Sequence, residues 1–486
     1  MSKKKDSVAK GGGSLMIARL LGMGLSFVLF LVLARHSAAD AGFFRTVVTY
    51  ILMAEFLGML GLHRWLSTEI APEGPHRWSV FLATTAFTIG SSLLLTVIYV
   101  GVANFGLYSP SLSQGILWGA LAVIPSGIFS CVQSALVGIG QSHNMGKLTL
   151  IESLVRCLAS IGLILLHYPV IDIVWVFVIT RWMIALIGLY SLTKTLHADT
   201  WVPKRALLKQ VAWQAPRFAI IILAFVLLKN AGLVILPALH NEAEAGVFAV
   251  AYQLLDLILI VPSVLAVASN NLFVNKANQS DVSLRKISAQ LVSITSLALF
   301  PLAAITAGFA QNFLLFLYGS HYLDARNSLM FLMLAACFMM VDQVLSQVMV
   351  ARKDYQSDMR SILLGAASAV VLTVIASHRY GATGASAALA MAVLLAVLAR
   401  LRFLQKVFPV KLLWLTTWKA IFSSVLIFLL CIFSFSLPLF ASFATSKYLW
   451  MLCVPALLAI YAFLIYVLGG LSLSKKQRMK KFLFHQ

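Results

Sequence analysis

Residues 36–44 read HSAADAGFF and residues 240–248 read HNEAEAGVF, so the chain contains nearly the same short segment twice. Five of the nine positions are identical, and the two copies are offset by 204 residues. The glycine of each copy, Gly42 or Gly246, lets the backbone turn tightly into a following helix. The acidic residue two positions earlier suits a helix N-terminus. The repeat therefore indicates an internally duplicated fold, with a coincidence of turn chemistry as the alternative.

The composition places the chain in a membrane. Of its 486 residues, 61% are hydrophobic and 11% are charged, whereas soluble domains have about 45–50% apolar and about 25% charged residues. Apolar runs near 20 residues recur along the whole length, and a helix of that length spans the hydrocarbon core. Backbone groups in lipid must bond to one another, so these runs are helices. We predict an all-α polytopic membrane protein.

The hydropathy pattern predicts about 14 transmembrane helices. The first is longer than the apolar core of a typical signal peptide, and a second span follows it directly, so we expect an uncleaved helix. The predicted spans are 15–34, 43–61, 80–102, 116–139, 148–166, 171–192, 216–239, 245–267, 288–310, 326–350, 359–376, 382–401, 419–437 and 449–468.

The basic residues predict the orientation of these spans. When the Lys-rich N-terminus is placed in the cytoplasm and the sides alternate, cytoplasmic segments hold 28 of the 37 Lys and Arg residues. The opposite side holds five, and the spans hold four. This asymmetry is the positive-inside pattern, and it accounts for the net charge of +21 without nucleic acid. We expect both termini to be cytoplasmic.

Six spans separate the two copies of the repeated loop, an even number, so both copies face the same side. This parity predicts two six-helix halves in parallel orientation, and transporters with such halves bind substrate between them. The predicted organisation is an N-terminal lobe (1–192), a cytoplasmic amphipathic linker (193–215), a C-terminal lobe (216–406), and two further spans with a basic cytoplasmic tail (407–486). In the linker, Lys204, Arg205 and Lys209 lie among apolar residues, which suits a helix in the membrane interface, with a plain connection as the alternative.

Four segments resemble a known family. They are LARHSAADAGFF (33–44), HNEAEAGVFAVAYQLLDLILIVPSVLA (240–266), FLYGSHYLDA (316–325) and RYGATGASAALAMAV (379–393). They are similar to the oligosaccharide flippases of the MOP superfamily, in the polysaccharide-transporter branch, which moves lipid-linked O-antigen or exopolysaccharide repeat units. The resemblance covers the chain from about residue 10 to 405, as short turns at matching spacing. It implies twelve core helices in two lobes around a central cavity, in the bacterial plasma (inner) membrane.

Basic side chains at membrane depth are the candidate substrate-binding residues, because a charge at the bilayer centre costs roughly 2.5–3.5 kcal/mol on insertion scales. Arg181 lies near the predicted midplane of span six, and Arg156 lies in span five. Lys229 is similarly deep in span seven, where it binds an anion or loses its proton. Arg19 is one turn into span one and can instead snorkel to the headgroups. We expect these cations to contact an anionic diphosphate or acidic sugars.

Four carboxylates are candidates for charge balance or for carrying a coupling proton. Glu55 has no charged neighbour one turn away, so we expect its partner on another helix. Glu152 precedes Arg156 by four residues, which places both on one helix face, either as a self-neutralising pair or facing the cavity. Asp256 in span eight and Asp342 in span ten complete the set. Buried carboxylates tend to hold protons, and interhelical hydrogen bonding is the alternative role.

The sequence offers no motif of enzyme chemistry. It contains no P-loop, HExxH, CxxC or Gly-x-Ser-x-Gly pattern. Its five cysteines lie in apolar runs without metal-ligand spacing. We therefore expect no catalytic residue, cofactor, metal or nucleic-acid partner.

The leading hypothesis is a flippase that translocates a polyprenyl-diphosphate-linked oligosaccharide by alternating access, with proton coupling as an option. The expected partners are the lipid-linked glycan, membrane lipids, and the glycosyltransferases and polysaccharide polymerase of surface polysaccharide synthesis. The alternatives are a MATE-like drug/cation antiporter and a lipid II-type flippase. A membrane-embedded glycan polymerase is a rival of another class, which typically needs a larger outer loop than this chain has.

Overall fold

The structure is a computed structural model that describes residues 2–71, 76–196, 202–263, 281–405, 410–434 and 450–468. Some sequence predictions fall outside these ranges. They are the basic tail at 475–481, the cations Lys276, Lys406 and Lys447, the ends of predicted spans eight and thirteen, the first residue of span fourteen, and residues 197–201 of the linker.

Across the described ranges the chain forms helices and no strand, which confirms the all-α fold class. The helices of the first half are α1 (Ser2–His36), α2 (Ala38–Leu57), α3 (His63–Glu69), α4 (His76–Asn104), α5 (Pro110–Ala120), α6 (Val123–Gly138), α7 (Ser142–Leu165) and α8 (Val170–Leu196). Those of the second half are α9 (Arg205–Leu239), α10 (Glu242–Ile258), α11 (Asp281–Gly308), α12 (Ala310–Leu317), α13 (Ala325–Ala351), α14 (Tyr355–Phe403), α15 (Val410–Ser434) and α16 (Trp450–Val467). A 3₁₀ turn, Ser320–Tyr322, follows α12.

Among the described residues, ten helices are long and apolar enough to cross a membrane, or eleven if a bent pair counts as one span. The bent pair is α5 and α6, which meet at 45° and correspond to predicted span four. The range of helix α14 covers predicted spans eleven and twelve. A break in its backbone at Gly381 separates the two spans. The φ of 51° at Gly381 is left-handed, which glycine adopts at little cost. The multi-pass character predicted from hydropathy is confirmed.

Contacts divide the chain into two compact units. Unit 1 comprises residues 1–250 and 366–385, and unit 2 comprises residues 251–365 and 386–486. Each unit has its own buried apolar cluster. The predicted lobes differ in extent from these units, and the division into lobes stays a prediction.

The basic half of the predicted linker is the start of a membrane helix. Helix α9 begins at Arg205 and runs without interruption to Leu239. Within its first turns, Val211 and Ala215 are buried in the unit 1 core beside side chains of α3, α4 and α8. Residues 205–215 are therefore helical, as the amphipathic pattern predicts, but they do not form a separate element.

The two copies of the repeated loop begin their helices in the same way. Ser37 accepts a hydrogen bond from the backbone N–H of Asp40 at 3.4 Å, and Asn241 accepts one from the N–H of Glu244 at 2.9 Å. Ser37 and Asn241 occupy equivalent positions of the repeat, and both residue types are favoured at helix N-caps. The repeat is therefore a duplicated helix start.

The acidic residues of the second copy accept hydrogen bonds from residues at the starts of other helices in unit 1. Glu242 accepts a hydrogen bond from the hydroxyl of Ser109, which is the N-cap of α5. Glu244 accepts one from the backbone N–H of Ala382 at 2.6 Å, directly after the break at Gly381. Glu244 lies in the first turn of its own helix, as the sequence predicts, and its carboxylate also contacts a neighbouring helix.

In unit 2, the last two described helices pack on α11 and α12. Cys431 of α15 and Trp450 of α16 are buried with Phe309. Gly308 permits this approach, because a β-carbon there would overlap the β-carbon of Cys431. The ring of Phe313 meets that of Trp450 edge-on at 4.7 Å. Predicted spans thirteen and fourteen are thus part of the unit 2 core.

Candidate functional site

The structure brings four of the predicted site residues together in unit 1. They are Glu55 of α2, Glu152 and Arg156 of α7, and Arg181 of α8, which we call the unit 1 charge cluster. The Nη1 of Arg156 lies 3.0 Å from the Oε1 of Glu152. The Nε of Arg181 lies 3.3 Å from that same oxygen, and its Nη2 lies 2.9 Å from the Oε2 of Glu55. Two guanidinium groups and two carboxylates balance in formal charge.

The two ends of the cluster are more open than its centre. The side chains of Arg181 and Glu152 are each 4% exposed, whereas those of Arg156 and Glu55 are 12% and 17% exposed. A buried guanidinium is tolerated when carboxylates neutralise it. The centre is therefore a packed ion pair, and Arg156 is the arginine more accessible to a ligand.

Neighbouring helices complete the surroundings of both arginines. The Nη2 of Arg156 donates to the hydroxyl of Ser26 on α1 at 3.3 Å, and its guanidinium lies 4.8 Å from the ring centre of Phe177. The guanidinium of Arg181 lies 5.7 Å from the ring centre of Phe129. Aromatic faces attract cations, so these rings offset part of the cost of burial.

These contacts answer two questions that the sequence left open. The partner of Glu55 does lie on another helix, and it is Arg181. Glu152 and Arg156 do pair along one face of α7. Glu152 also contacts Arg181. The pair is therefore part of a larger charge network and is not an isolated self-neutralising pair.

A second cluster lies in unit 2. Arg400, near the end of α14, forms ion pairs with Asp342 of α13 and with Asp358 at the start of α14. The Nε of Arg400 lies 2.9 Å from the Oδ1 of Asp358, and the hydroxyl of Ser346 donates to the other carboxylate oxygen at 3.3 Å. Arg400 is 1% exposed. We call Asp342, Asp358 and Arg400 the unit 2 charge cluster.

Sequence reasoning found Asp342 but missed Asp358 and Arg400, because Arg400 was counted among the cytoplasmic cations. A signal was present in the helical spacing. Arg400 falls in the register of Val393, Val397 and Leu404, all of which are buried. Arg402, two residues on, lies off that stripe and is exposed. An arginine that falls in line with buried apolar residues on one side of a helix is expected to be buried as well.

The remaining predicted residues lie outside both clusters. Lys229 of α9 belongs to unit 1 and Asp256 of α10 to unit 2, and both side chains are half-buried. Arg19 is exposed on α1, seven residues before Ser26, which places it about 10 Å away along the same helix face. The functional roles of these three residues stay predictions. Among the described residues, no group of three or more His, Cys, Asp and Glu side chains could hold a metal ion.

Residues 8–270 match the protein family described as "Polysaccharide biosynthesis protein". That range is more than half of the chain and includes all four residues of the unit 1 charge cluster. No curated protein matches the chain in sequence.

Solved structures of low sequence identity share the fold. The lipid II flippase MurJ, in an inward closed conformation, matches with a TM-score of 0.73 at 14% identity, over 93% of this chain and 98% of that one. A MATE protein in complex with MaL6 matches with a TM-score of 0.55 at 14% identity, over 82% and 96% of the two chains. A MOP superfamily transporter from Pyrococcus furiosus matches with a TM-score of 0.54 at 14% identity, over 83% and 96%. This chain therefore belongs to the polysaccharide biosynthesis protein family and has the fold of the MOP-superfamily flippases and transporters.

Proposed function

We propose that this protein is a flippase that moves an oligosaccharide linked to polyprenyl diphosphate across the bacterial inner membrane. The observation that carries the proposal is the pair of arginines buried in the unit 1 charge cluster. Guanidinium groups match phosphate oxygens with two parallel N–H donors, which makes arginine well suited to a diphosphate. The family match supports a role in polysaccharide synthesis, and the similar fold of a lipid II flippase supports a lipid-linked cargo.

Arg156 is the residue that we expect to meet the diphosphate first. It is the more exposed of the two arginines, and one of its nitrogens contacts the neutral hydroxyl of Ser26. A phosphate oxygen that replaced this hydroxyl would exchange a neutral acceptor for an anionic one, so that both partners of the hydrogen bond with Arg156 would be charged. Substrate contact with Arg156 therefore requires little rearrangement of the cluster.

Glu152 and the diphosphate compete for the same arginines. Glu152 contacts both guanidinium groups, and Glu55 holds the far side of Arg181. Protonation of either carboxylate would remove its attraction for arginine and favour the substrate instead. Loss of that proton would restore the ion pairs and expel the diphosphate. This competition is our reason to propose proton coupling.

The other predicted residues extend this scheme. Lys229 and Arg19 would contribute positive potential along the path of the diphosphate, and Asp256 and Asp342 would supply carboxylates from the second half of the chain. The cycle would be alternating access, with the polyprenyl tail left in the lipid. Cytoplasmic glycosyltransferases would supply the substrate, and a polysaccharide polymerase would consume it on the other side. Both termini would be cytoplasmic.

Charge-balanced variants test the site without leaving an unpaired buried charge. Arg181→Gln combined with Glu55→Gln keeps the formal charge at zero and leaves both side chains polar. We expect glycan export by a complemented deletion strain to fall by about 10- to 100-fold, because each lost charge-assisted hydrogen bond is worth roughly 1.5–3 kcal/mol. Arg156→Gln combined with Glu152→Gln, which also keeps the formal charge of the cluster at zero, should weaken export in the same direction.

The matched control is Lys194→Gln, which removes one exposed cation from α8. Export should stay at the wild-type level in this control when protein abundance is equal. Normal export by the Arg181→Gln/Glu55→Gln variant, at normal abundance, would show that the cluster is structural and that the site assignment is wrong.

The main alternative is a drug/cation antiporter, which the MATE-like fold allows. A cation site calls for excess carboxylate, whereas the unit 1 charge cluster is balanced. Deletion of the gene should change surface glycan and leave sensitivity to cationic drugs unchanged, and the reverse result would favour the antiporter. Transport of lipid II by the purified protein in vesicles would favour a lipid II-type flippase, and glycan-joining activity would favour a polymerase.

A further inference from the structure

The beginning of α9 carries a basic and aromatic stripe on its outer face. Arg205, Lys209 and Trp213 follow one another at intervals of four residues, so they lie along one side of the helix. All three side chains are exposed, and Trp213 is 72% exposed. A tryptophan with that much exposed surface favours the membrane interface over water.

A second stripe with the same interval packs the opposite face into the protein. Val211 and Ala215 are 0% and 2% exposed, and Leu207 packs partly buried against the same cluster. The two stripes differ in register by two residues, which is about 200° around a helix. The unit 1 core thus fixes the helix so that the basic stripe points outward, just before the membrane span that begins at Phe218.

Within the described residues, the first turn of this helix contains no acidic side chain. Lys204 is at the N-cap position and provides no side-chain hydrogen bond, and Arg205 occupies the first turn. Cations at a helix N-terminus oppose the helix dipole, whereas a phosphate there would complement both the dipole and the backbone N–H groups. The N-terminus of α9 is therefore suited to bind an anion.

Among the described residues, the other exposed charged side chains on the predicted cytoplasmic side of unit 1 are mostly basic. Arg64 of α3, Lys147 of α7 and Lys194 of α8 are exposed, and Glu69 is an exposed acid on the same side. Anionic lipid surfaces attract such groups with a strength of about 1 kcal/mol for each Lys or Arg nearby. The basic stripe therefore lies on a surface whose other charged groups are also mostly positive.

We propose that Arg205, Lys209 and Trp213 form a binding site for the headgroup of an anionic phospholipid. The guanidinium and ammonium groups bind the lipid phosphate, and the indole lies at the level of the glycerol and upper acyl chain. Bound lipid anchors the start of α9 at the cytoplasmic interface. This site is separate from the unit 1 charge cluster, and the proposal does not depend on the proposed substrate.

The test measures lipid contact with the full-length protein in nanodiscs. The discs contain phosphatidylcholine with 30 mol% phosphatidylglycerol, whose chains are brominated so that they quench nearby tryptophan fluorescence. The chain has ten tryptophans, so the contribution of Trp213 is the difference between the wild type and Trp213→Phe. We expect brominated phosphatidylglycerol to quench Trp213 more strongly than brominated phosphatidylcholine at the same mole fraction.

The double variant Arg205→Gln/Lys209→Gln should weaken binding of phosphatidylglycerol by about 30-fold, as measured by native mass spectrometry across a lipid titration, because each cation contributes a factor of roughly five. Arg205→Lys/Lys209→Arg should bind nearly as well as the wild type. The matched control is Arg326→Gln/Arg379→Gln, which removes two exposed cations from the predicted outer side and should change binding by less than about twofold.

Two results would overturn the proposal. The first is unchanged phosphatidylglycerol binding by the Arg205→Gln/Lys209→Gln variant when it elutes as a single folded species. The second arises in discs of phosphatidylcholine that carry a few mole percent of undecaprenyl diphosphate. A variant that loses this lipid but keeps phosphatidylglycerol would show that the stripe receives a transported lipid rather than the bulk membrane.

Discussion

Gly42 and Gly246, the equivalent glycines of the repeated loop, lie against each other in unit 1. A β-carbon on Gly42 would lie 2.6 Å from the backbone nitrogen of Gly246 and would overlap the carbonyl oxygen of Glu242. A β-carbon on Gly246 would overlap the carbonyl oxygen of Ala38. The two copies of the loop thus meet backbone to backbone, and the sequence keeps glycine at both points of closest approach.

Replacing either glycine with alanine should destabilise the protein. The new methyl group meets backbone atoms that cannot rotate away, and overpacking of this kind costs typically 1–3 kcal/mol. Thermal unfolding in detergent should show lower transition temperatures for Gly42→Ala and Gly246→Ala. Gly90→Ala is the control, because nothing lies within 4 Å of a β-carbon there, and its transition should equal or slightly exceed that of the wild type, since alanine favours a helix over glycine. An unchanged transition for Gly42→Ala would refute the contact.

Glu244 should stabilise the break at Gly381. Its carboxylate accepts a hydrogen bond from Ala382 N–H, and a β-carbon on Gly381 would overlap that carboxylate. Gly381→Ala should therefore destabilise more than a single hydrogen bond is worth, since the left-handed φ adds strain. Glu244→Ala should cost about 1–3 kcal/mol, while Glu244→Gln, which keeps an acceptor oxygen, should cost less. Equal transition temperatures for the two Glu244 variants would contradict this role.

Arg400 should be among the most sensitive positions of unit 2. Arg400→Leu leaves Asp342 and Asp358 without their shared cation, and breaking a buried ion pair costs typically 3–5 kcal/mol. Adding Asp342→Asn and Asp358→Asn to Arg400→Leu should recover much of the lost stability. Arg402→Leu, two residues away and exposed, is the matched control and should be close to neutral. The prediction fails if the Arg400 and Arg402 variants yield equal amounts of folded protein.

The predicted orientation can be tested with single cysteines in a background without the five native ones. Tyr168, between α7 and α8, is 53% exposed, and Asn144 is exposed near the start of α7. The charge pattern places Tyr168 outside and Asn144 in the cytoplasm. A membrane-impermeant maleimide should label Tyr168→Cys in intact cells, and it should label Asn144→Cys after permeabilisation. Labelling of Asn144→Cys in intact cells would reverse the orientation.

The sequence predicted the membrane fold because hydrophobic runs and basic connections act locally. A run of apolar residues becomes a helix in lipid whichever helices it packs against. Spans such as α7 and α8 could therefore be placed from hydropathy. The repeated loop was also visible, because caps and glycines at 36–44 and 240–248 are local signals. The spacing of Glu152 and Arg156 predicted their contact for the same reason, since both are on one helix.

What the sequence could not supply was contact between distant helices. It showed that Glu55 needed a partner, but 126 residues of chain separate it from Arg181, and only packing of α2 against α8 joins them. It placed Arg400 near water, whereas the fold of α13 and α14 buries it between two aspartates. The covalent order sets which residues are charged and how they are spaced along each helix. The tertiary structure decides which charges neutralise each other, because Coulomb attraction in a low-dielectric interior depends on distances that the chain sets by folding.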